Sequence, residues 1–220
     1  METAKARHDS RTALLNAARD LIVTRSFENV GTAEICQHAG VRKGSLYHFF
    51  SSKEDLVLAM LDDLIHDFER DVLLPSLDGP GSLAERVAAF VHGIHAFEAG
   101  MQRASGHLPG CPFGNLIVET ATYSPSLRLA VKTHLERIRT HFRRCLAAAV
   151  QQGELPADTD VDAGAERWLA LMEGILVMAK VEQDPDTILR LGPALNLLIG
   201  VPAGHGLMAP TGRGQAHPLP

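Results

Sequence analysis

The chain of 220 residues has only three cysteines, Cys36, Cys111 and Cys145, widely spaced and with no Cys-x-x-Cys pair. An odd, scattered set of this kind argues against a disulfide framework and against a structural zinc site. Long apolar runs are missing too. A membrane-spanning helix needs roughly 20 apolar residues, and the longest candidate, 168–181, is interrupted by Glu173 and Lys180. The opening METAKARHDSRT is polar and lacks the apolar segment of a secretory signal. A reducing cytoplasm is the expected compartment, with no membrane partner. Positive charge is in deficit, since 21 Lys and Arg stand against 26 Asp and Glu for a net charge of −5. That excludes a histone-like or membrane-coating polycation. A small basic face on an acidic body is still enough for nucleic-acid binding.

Catalytic signatures are equally scarce. The sequence has no Gly-x-x-x-x-Gly-Lys-Ser/Thr, His-Glu-x-x-His or Gly-x-Ser-x-Gly pattern and no evident paired carboxylates, so no enzyme is expected. His92 and His95 lie three apart, and His66-x-x-Glu69 and His95-x-x-Glu98 pair imidazole with carboxylate. Di-iron bundles use the opposite order, Glu-x-x-His, together with bridging carboxylates. Those are not evident here, and no metal or cofactor is expected. A helical metal-binding or redox protein is the alternative reading of these residues.

Strand signals are absent as well: there is no alternating β-branched run, and no Asn-Gly or Asp-Gly joins two such runs as a hairpin signal. Helical periodicity dominates instead. Leu83, Val87, Phe90, Ile94, Phe97 and Met101 recur in steps of three or four, as do Leu127, Val131, Leu135, Ile138, Phe142 and Cys145. The opposite face of the second run carries Arg128, Lys132, Arg137, Arg139, Arg143 and Arg144, expected to be solvated. The fold class is all-α. Breaks are expected at 75–81, 106–112, 124–125, 153–160 and 184–185, and Gly192-Pro193 should split the last helix. Beyond Gly200 the sequence is rich in Gly and Pro, and 201–220 reads as a mobile tail.

Residues 10 to 56 are the most informative. A helix over about 11–24 places Leu14, Leu15, Ala18, Leu21 and Ile22 on one side. Thr32 can start a short helix that Gly40 ends in a left-handed turn. A second short helix, about 43–49, turns Leu46 and Phe50 inward and Arg42, Lys43, Ser45, Tyr47 and His48 outward. Ser52 and Asp55 form a capping pattern for the next helix. Two short helices joined by such a turn make a helix-turn-helix, whose second helix enters the DNA major groove. Arg42 and Lys43 stand at the N-terminal end of that helix, suited to phosphate or guanine acceptors. Residues 1–50 hold seven Lys or Arg against five Asp or Glu, so positive charge is concentrated at one end of an acidic chain.

This segment resembles the DNA-binding head of the TetR family of bacterial regulators. The run from Thr32 through Ala39-Gly40-Val41, Gly44-Ser45-Leu46-Tyr47-His48-Phe49-Phe50 and Lys53-Glu54-Asp55-Leu56 follows the family pattern almost without gaps. By that resemblance Thr32, Tyr47 and Lys53 fall where the family contacts phosphates. Arg42, Lys43, Ser45 and His48 fall where it approaches bases, and Gly44 where the backbone comes close. The resemblance implies a three-helix DNA-binding head over 1–56 and a larger helical body over 57–200 that binds an effector and forms a homodimer. A dimeric repressor on a near-palindromic operator is then expected, with an activator of the same fold as the variant reading.

Two features of the body bear on those expectations. The segment 168–179 is apolar on almost every face. With Ile188, Leu195, Leu198 and Ile199 it could supply two helices to an intermolecular four-helix bundle. Cys111, in Pro-Gly-Cys-Pro-Phe-Gly-Asn, precedes a helical stretch, and a thiol at a helix N-terminus can have a lowered pKa and react with electrophiles or oxidants. The Gly-Cys element resembles a branch of the family that senses such compounds. Lys180, alone among apolar neighbours, is expected to be buried with a depressed pKa as a partner for Cys111. If the effector binds non-covalently, the expected pocket comprises Ile94, Phe97, Met101, Phe113, Leu116, Trp168 and Met172.

Overall fold

The computed structural model describes residues 2–199, with side chains from residue 9 onward; the expected tail, 201–220, lies outside the described residues. Among the described residues there are helices and no strands. Three helices build the head: α1 (Glu2–Thr24), α2 (Thr32–His38) and α3 (Lys43–Phe49). The body follows as α4 (Lys53–Phe68), α5 (Leu74–Leu77), α6 (Leu83–Ser105), α7 (Pro112–Thr120), α8 (Pro125–Gln151), α9 (Val161–Glu182), α10 (Asp186–Leu191) and α11 (Ala194–Leu198).

Local chemistry sets the boundaries. Gly40, at φ +66, ends α2. Its N–H donates to the Gln37 carbonyl at 3.1 Å and that of Val41 to Cys36 at 3.0 Å, the paired bonds of a Schellman cap. Ser52 opens α4 by accepting the Asp55 N–H at 3.0 Å, while the Asp55 carboxylate reaches back one residue further than a capping box, to the Ser51 N–H at 2.9 Å. At α6 the reciprocal box is complete, between Ser82 and Glu85. The long helix beginning at Lys53 does not run on unbroken. It widens into a π-helical turn at Glu69–Leu73 before α5. Pro75 supplies the reason, because its ring and missing N–H are incompatible with a continuous α-helical ladder. Gly192-Pro193 separates α10 from α11 as its sequence predicts.

In the body α8 packs along α9, with α6 across them. Trp168 lies flat on Phe142, ring centroids 4.5 Å apart and planes 3° apart, and Phe90 meets both rings edge-on. All three side chains are fully buried. Trp168 is therefore a core residue, and its assignment to the effector pocket is corrected: its place on the inner face of α9 turns it toward α6 and α8. The basic face of α8 is not simply solvated either. Arg137 forms a double contact with Glu69 at 2.6 and 3.1 Å, and Arg143 bridges Glu136 and Asp162.

Candidate functional site

At the tip of the head α3 turns one face outward. Leu46 is buried and Phe50 closes the helix beneath it, while Arg42, Lys43, Gly44, Tyr47 and His48 are exposed and Ser45 is half-buried. Helical periodicity produces this division, since the inward position at Leu46 leaves its neighbours pointing away. Tyr47 is 51% exposed, a large aromatic left in solvent beside two cations. A Cβ added at Gly44 would meet nothing within 4 Å, so the protein's own packing does not demand glycine there. Thr32 begins α2 and is half-buried. His48 leans edge-on against Phe49, with centroids 5.0 Å apart.

Lys53 is placed differently. Its ammonium donates to the carbonyls of Phe27 at 2.6 Å and Val30 at 2.9 Å and sits 4.1 Å from the centre of the Phe27 ring. The side chain fastens the α1–α2 loop to the start of α4. The backbone N–H of Lys53, at the first position of α4 after the Ser52 cap, is among the helix-start donors that have no intrahelical acceptor.

Behind the head lies a cavity of about 700 Å³. Its walls are residues 22–27 of the head, Met60 and Leu61 of α4, the strips 110–112 and 114–119, Leu135 of α8, and Glu173, Leu176, Val177 and Lys180 of α9. Such a volume lies within the range of small-molecule sites. A second space of about 30 Å³, room for a water or two, adjoins it on the far side of Cys111 and is lined by Ile94, Phe97, Glu98, Phe113 and Met172 among others. The structure thus brings together five of the expected pocket residues around Cys111, with Leu116 on the larger cavity. Met101, half-buried near the end of α6, lines neither space.

Cys111 caps α7, its sulfur accepting the Gly114 N–H at 3.3 Å. The expectation of a lowered thiol pKa is nevertheless corrected. Burial, followed by the negative charge of Glu173, pushes the thiol well above its ordinary range, outweighing the amides of the helix start. The thiol donates to the Glu173 carboxylate, itself raised by burial. Lys180 is corrected in the same way. Its side chain is exposed, and its ammonium donates to Asn115 Oδ1 at 2.8 Å, because Lys180 falls on the outer face of α9 while its neighbour Ala179 takes the buried one.

Three acidic residues take parts here that the sequence does not assign to them. Glu98 is 2% exposed, accepts the Gly110 N–H at 3.2 Å, and is pushed by burial to about 7. In the sequence it stands as the carboxylate of His95-x-x-Glu98 and as a charge interrupting the apolar row of α6. Glu173 likewise interrupts the apolar row of α9. Glu119, at the end of α7, accepts the backbone N–H groups of Phe27 at 2.9 Å and Glu28 at 2.7 Å in the head. Nothing in its own neighbourhood of sequence signals that contact. The histidine–carboxylate pairs suggested as metal ligands are dispersed: His92 bonds Ala88, His95 bonds Asp186, and Glu69 faces Arg137 and His141. Among the described residues no three potential ligands cluster.

The model described as bacterial regulatory proteins, tetR family, matches residues 14–60, and a tetracyclin repressor-like C-terminal domain matches residues 83–195. The chain belongs to the TetR family. It is 33% identical to the transcriptional regulator AcuR of Cereibacter sphaeroides over 80% of this chain and 78% of that one. The crystal structure of a regulatory protein TetR from Rhodobacter sphaeroides superposes with a TM-score of 0.74 at 30% identity, covering 86% of this chain and 98% of the other. The reduced form of Escherichia coli NemR gives the same TM-score at 24% identity, over 88% and 100% of the two chains, a likeness of fold. This TetR-family chain is accordingly a DNA-binding transcriptional regulator with a helix-turn-helix head.

Proposed function

We propose that the protein is a dimeric repressor that holds a near-palindromic operator and leaves it when a small organic effector enters the cavity behind the head. The observation that carries this reading is the cavity's composition: one of its walls is the head itself, at residues 22–27. A ligand there touches both the sensing body and the segment leading into α2. In this reading Arg42, Lys43, Ser45 and His48 approach bases, Thr32 and Tyr47 contact phosphates, Gly44 admits the DNA backbone, and Lys53 contributes its main-chain N–H. The effector lies in this cavity against Cys111, Leu116 and Lys180, while Phe97, Phe113 and Met172 back the thiol from the small space behind it. A thiol held protonated is a slow nucleophile, which supports non-covalent occupancy over reaction with an electrophile or oxidant.

The dimer reading rests on α9 and α11. Val177, Met178 and Val181 on α9 are exposed, as are Leu197 and Leu198 on α11. Ile188, Leu195 and Ile199, by contrast, are buried within the chain. The apolar outer face is what a second copy would cover, and two heads then address successive major grooves. Effector binding shifts α4, changes the separation of the heads and lowers affinity. The test is a gel shift with DNA flanking the protein's own gene, titrated with salt and with candidate apolar and electrophilic compounds. Steep weakening by salt and release by one compound class are expected. Folded protein that prefers no duplex sequence at low ionic strength refutes the reading.

A further inference from the structure

Helix α7 runs along the cavity wall from Cys111 to Glu119 and meets the head at its far end. At the first end Cys111 caps it on the cavity wall, Asn115 Nδ2 donates to the Pro109 carbonyl at 2.8 Å, and Asn115 Oδ1 accepts from Lys180 of α9 at 2.8 Å. About 13 Å further along, the length of a nine-residue helix, Glu119 accepts the consecutive N–H groups of Phe27 and Glu28. Tyr123, just beyond α7, donates its hydroxyl to the Glu28 carboxylate, which pushes the phenol up to about 12. The loop so held is short of slack. Lys53 binds the carbonyls of Phe27 and Val30 from the other side, and Arg25 pairs with Glu34 on α2. Whatever displaces the carboxylate of Glu119 therefore acts on the segment that leads directly into the helix-turn-helix.

We propose that Glu119 is the positioning residue that passes the state of the cavity to the reading head, through its grip on the Phe27 and Glu28 amides. This deepens the proposed regulatory function and rests on it. A hydrogen bond weakens steeply with misalignment and is lost beyond about 3.5 Å. A displacement of α7 by less than 1 Å at its cavity end is thus enough to loosen one or both bonds. The loop then follows Lys53 and α4 instead of α7, and α2 and α3 change their attitude to the body. This route runs through α7 and is separate from any movement of α4 itself.

A ligand-free cycle on the full chain tests the proposal. Cys111→Met adds bulk at the cavity end of α7, at a position 8% exposed. With Glu119 present, it should speed exchange of the Phe27 and Glu28 amide protons by about tenfold. It should also weaken binding to the flanking DNA by about fivefold or more, the lower end of allosteric couplings. In Glu119→Ala the two amides should exchange fast from the outset, and adding Cys111→Met should change DNA affinity by less than about twofold. An equal factor in both backgrounds overturns the proposal. So does wild-type exchange at Phe27 and Glu28 in Glu119→Ala, or a Cys111→Met variant that moves neither readout. Should Glu119→Ala lose its cooperative melt, Glu119→Gln, which keeps one acceptor oxygen, carries the same cycle with intermediate effects. If no DNA is bound by any form, the regulator reading fails, and exchange at the two amides alone decides whether α7 communicates with the head.

Discussion

Glu98 offers the most quantitative handle on this structure. Its carboxyl is 2% exposed and is raised by burial from 4.5 to about 7, while accepting the Gly110 N–H at 3.2 Å. A carboxyl whose pKa is raised on folding binds more protons in the native state than in the unfolded chain. Its contribution is then fully present below pH 4.5 and is lost as pH rises through about 7. At 1.36 kcal/mol per pKa unit, a rise of this size costs the ionised native state about 3 kcal/mol. Glu98→Gln removes the ionisation while keeping the shape and an acceptor for Gly110. The variant should be more stable than wild type by up to about 3 kcal/mol at pH 8, with the advantage falling below about 1 kcal/mol at pH 4.5. In a chain of this length that corresponds to a melting temperature higher by roughly 5–10 °C at pH 8. Thermal unfolding followed by circular dichroism at the two pH values measures the difference directly. A stability difference that is the same at both, or absent at pH 8, refutes the reasoning that Glu98 is ionised at the expense of the fold.

Other perturbations address the head and the thiol. Arg42→Ala and Lys43→Ala should each weaken operator binding by about 1–3 kcal/mol if they read bases, and each should reduce the salt slope by about 1 if it neutralises a phosphate. Gel shifts at several salt concentrations separate the two roles. Lys53→Met should destabilise the protein by about 1–3 kcal/mol in urea unfolding, because the Phe27 and Val30 carbonyls lose their shared donor. An unchanged midpoint would show that water replaces the ammonium at no cost. Cys111 should react with a thiol reagent at pH 7.5 far more slowly than free cysteine, since burial and Glu173 hold it protonated. Mass spectrometry of the labelled chain gives the rate, and rapid labelling of Cys111 would restore the reactive-thiol reading.

The reading head was legible from the sequence because its signals are local. Gly40 and Val41 close a Schellman cap with Gln37 and Cys36 only a few residues away, and Leu46 and Phe50 define the inner face of α3 by spacing alone. The all-α class and the split at Gly192-Pro193 follow from the same kind of short-range rule. Side-chain partnerships across the chain were not legible. By resemblance Lys53 falls at a phosphate-contact position, yet carbonyls at Phe27 and Val30 claim its ammonium. Cys111 sits at a helix start, as its sequence predicts, but the sign of its pKa shift is set by burial and by Glu173 on another helix. Trp168 is apolar like a pocket residue and is in fact stacked on Phe142.

Residue spacing therefore determined the helices, the turn between α2 and α3, and the outward face that carries Arg42, Lys43, Tyr47 and His48. Only the packing of α7 against α1 and α8, with Lys180 of α9 reaching Asn115, decided where the cavity lies and which acids are buried. It also decided that Glu119 reaches the head. The physical reason is range: caps and periodicity act over one or two turns, whereas desolvation and charge depend on every element that closes around a group.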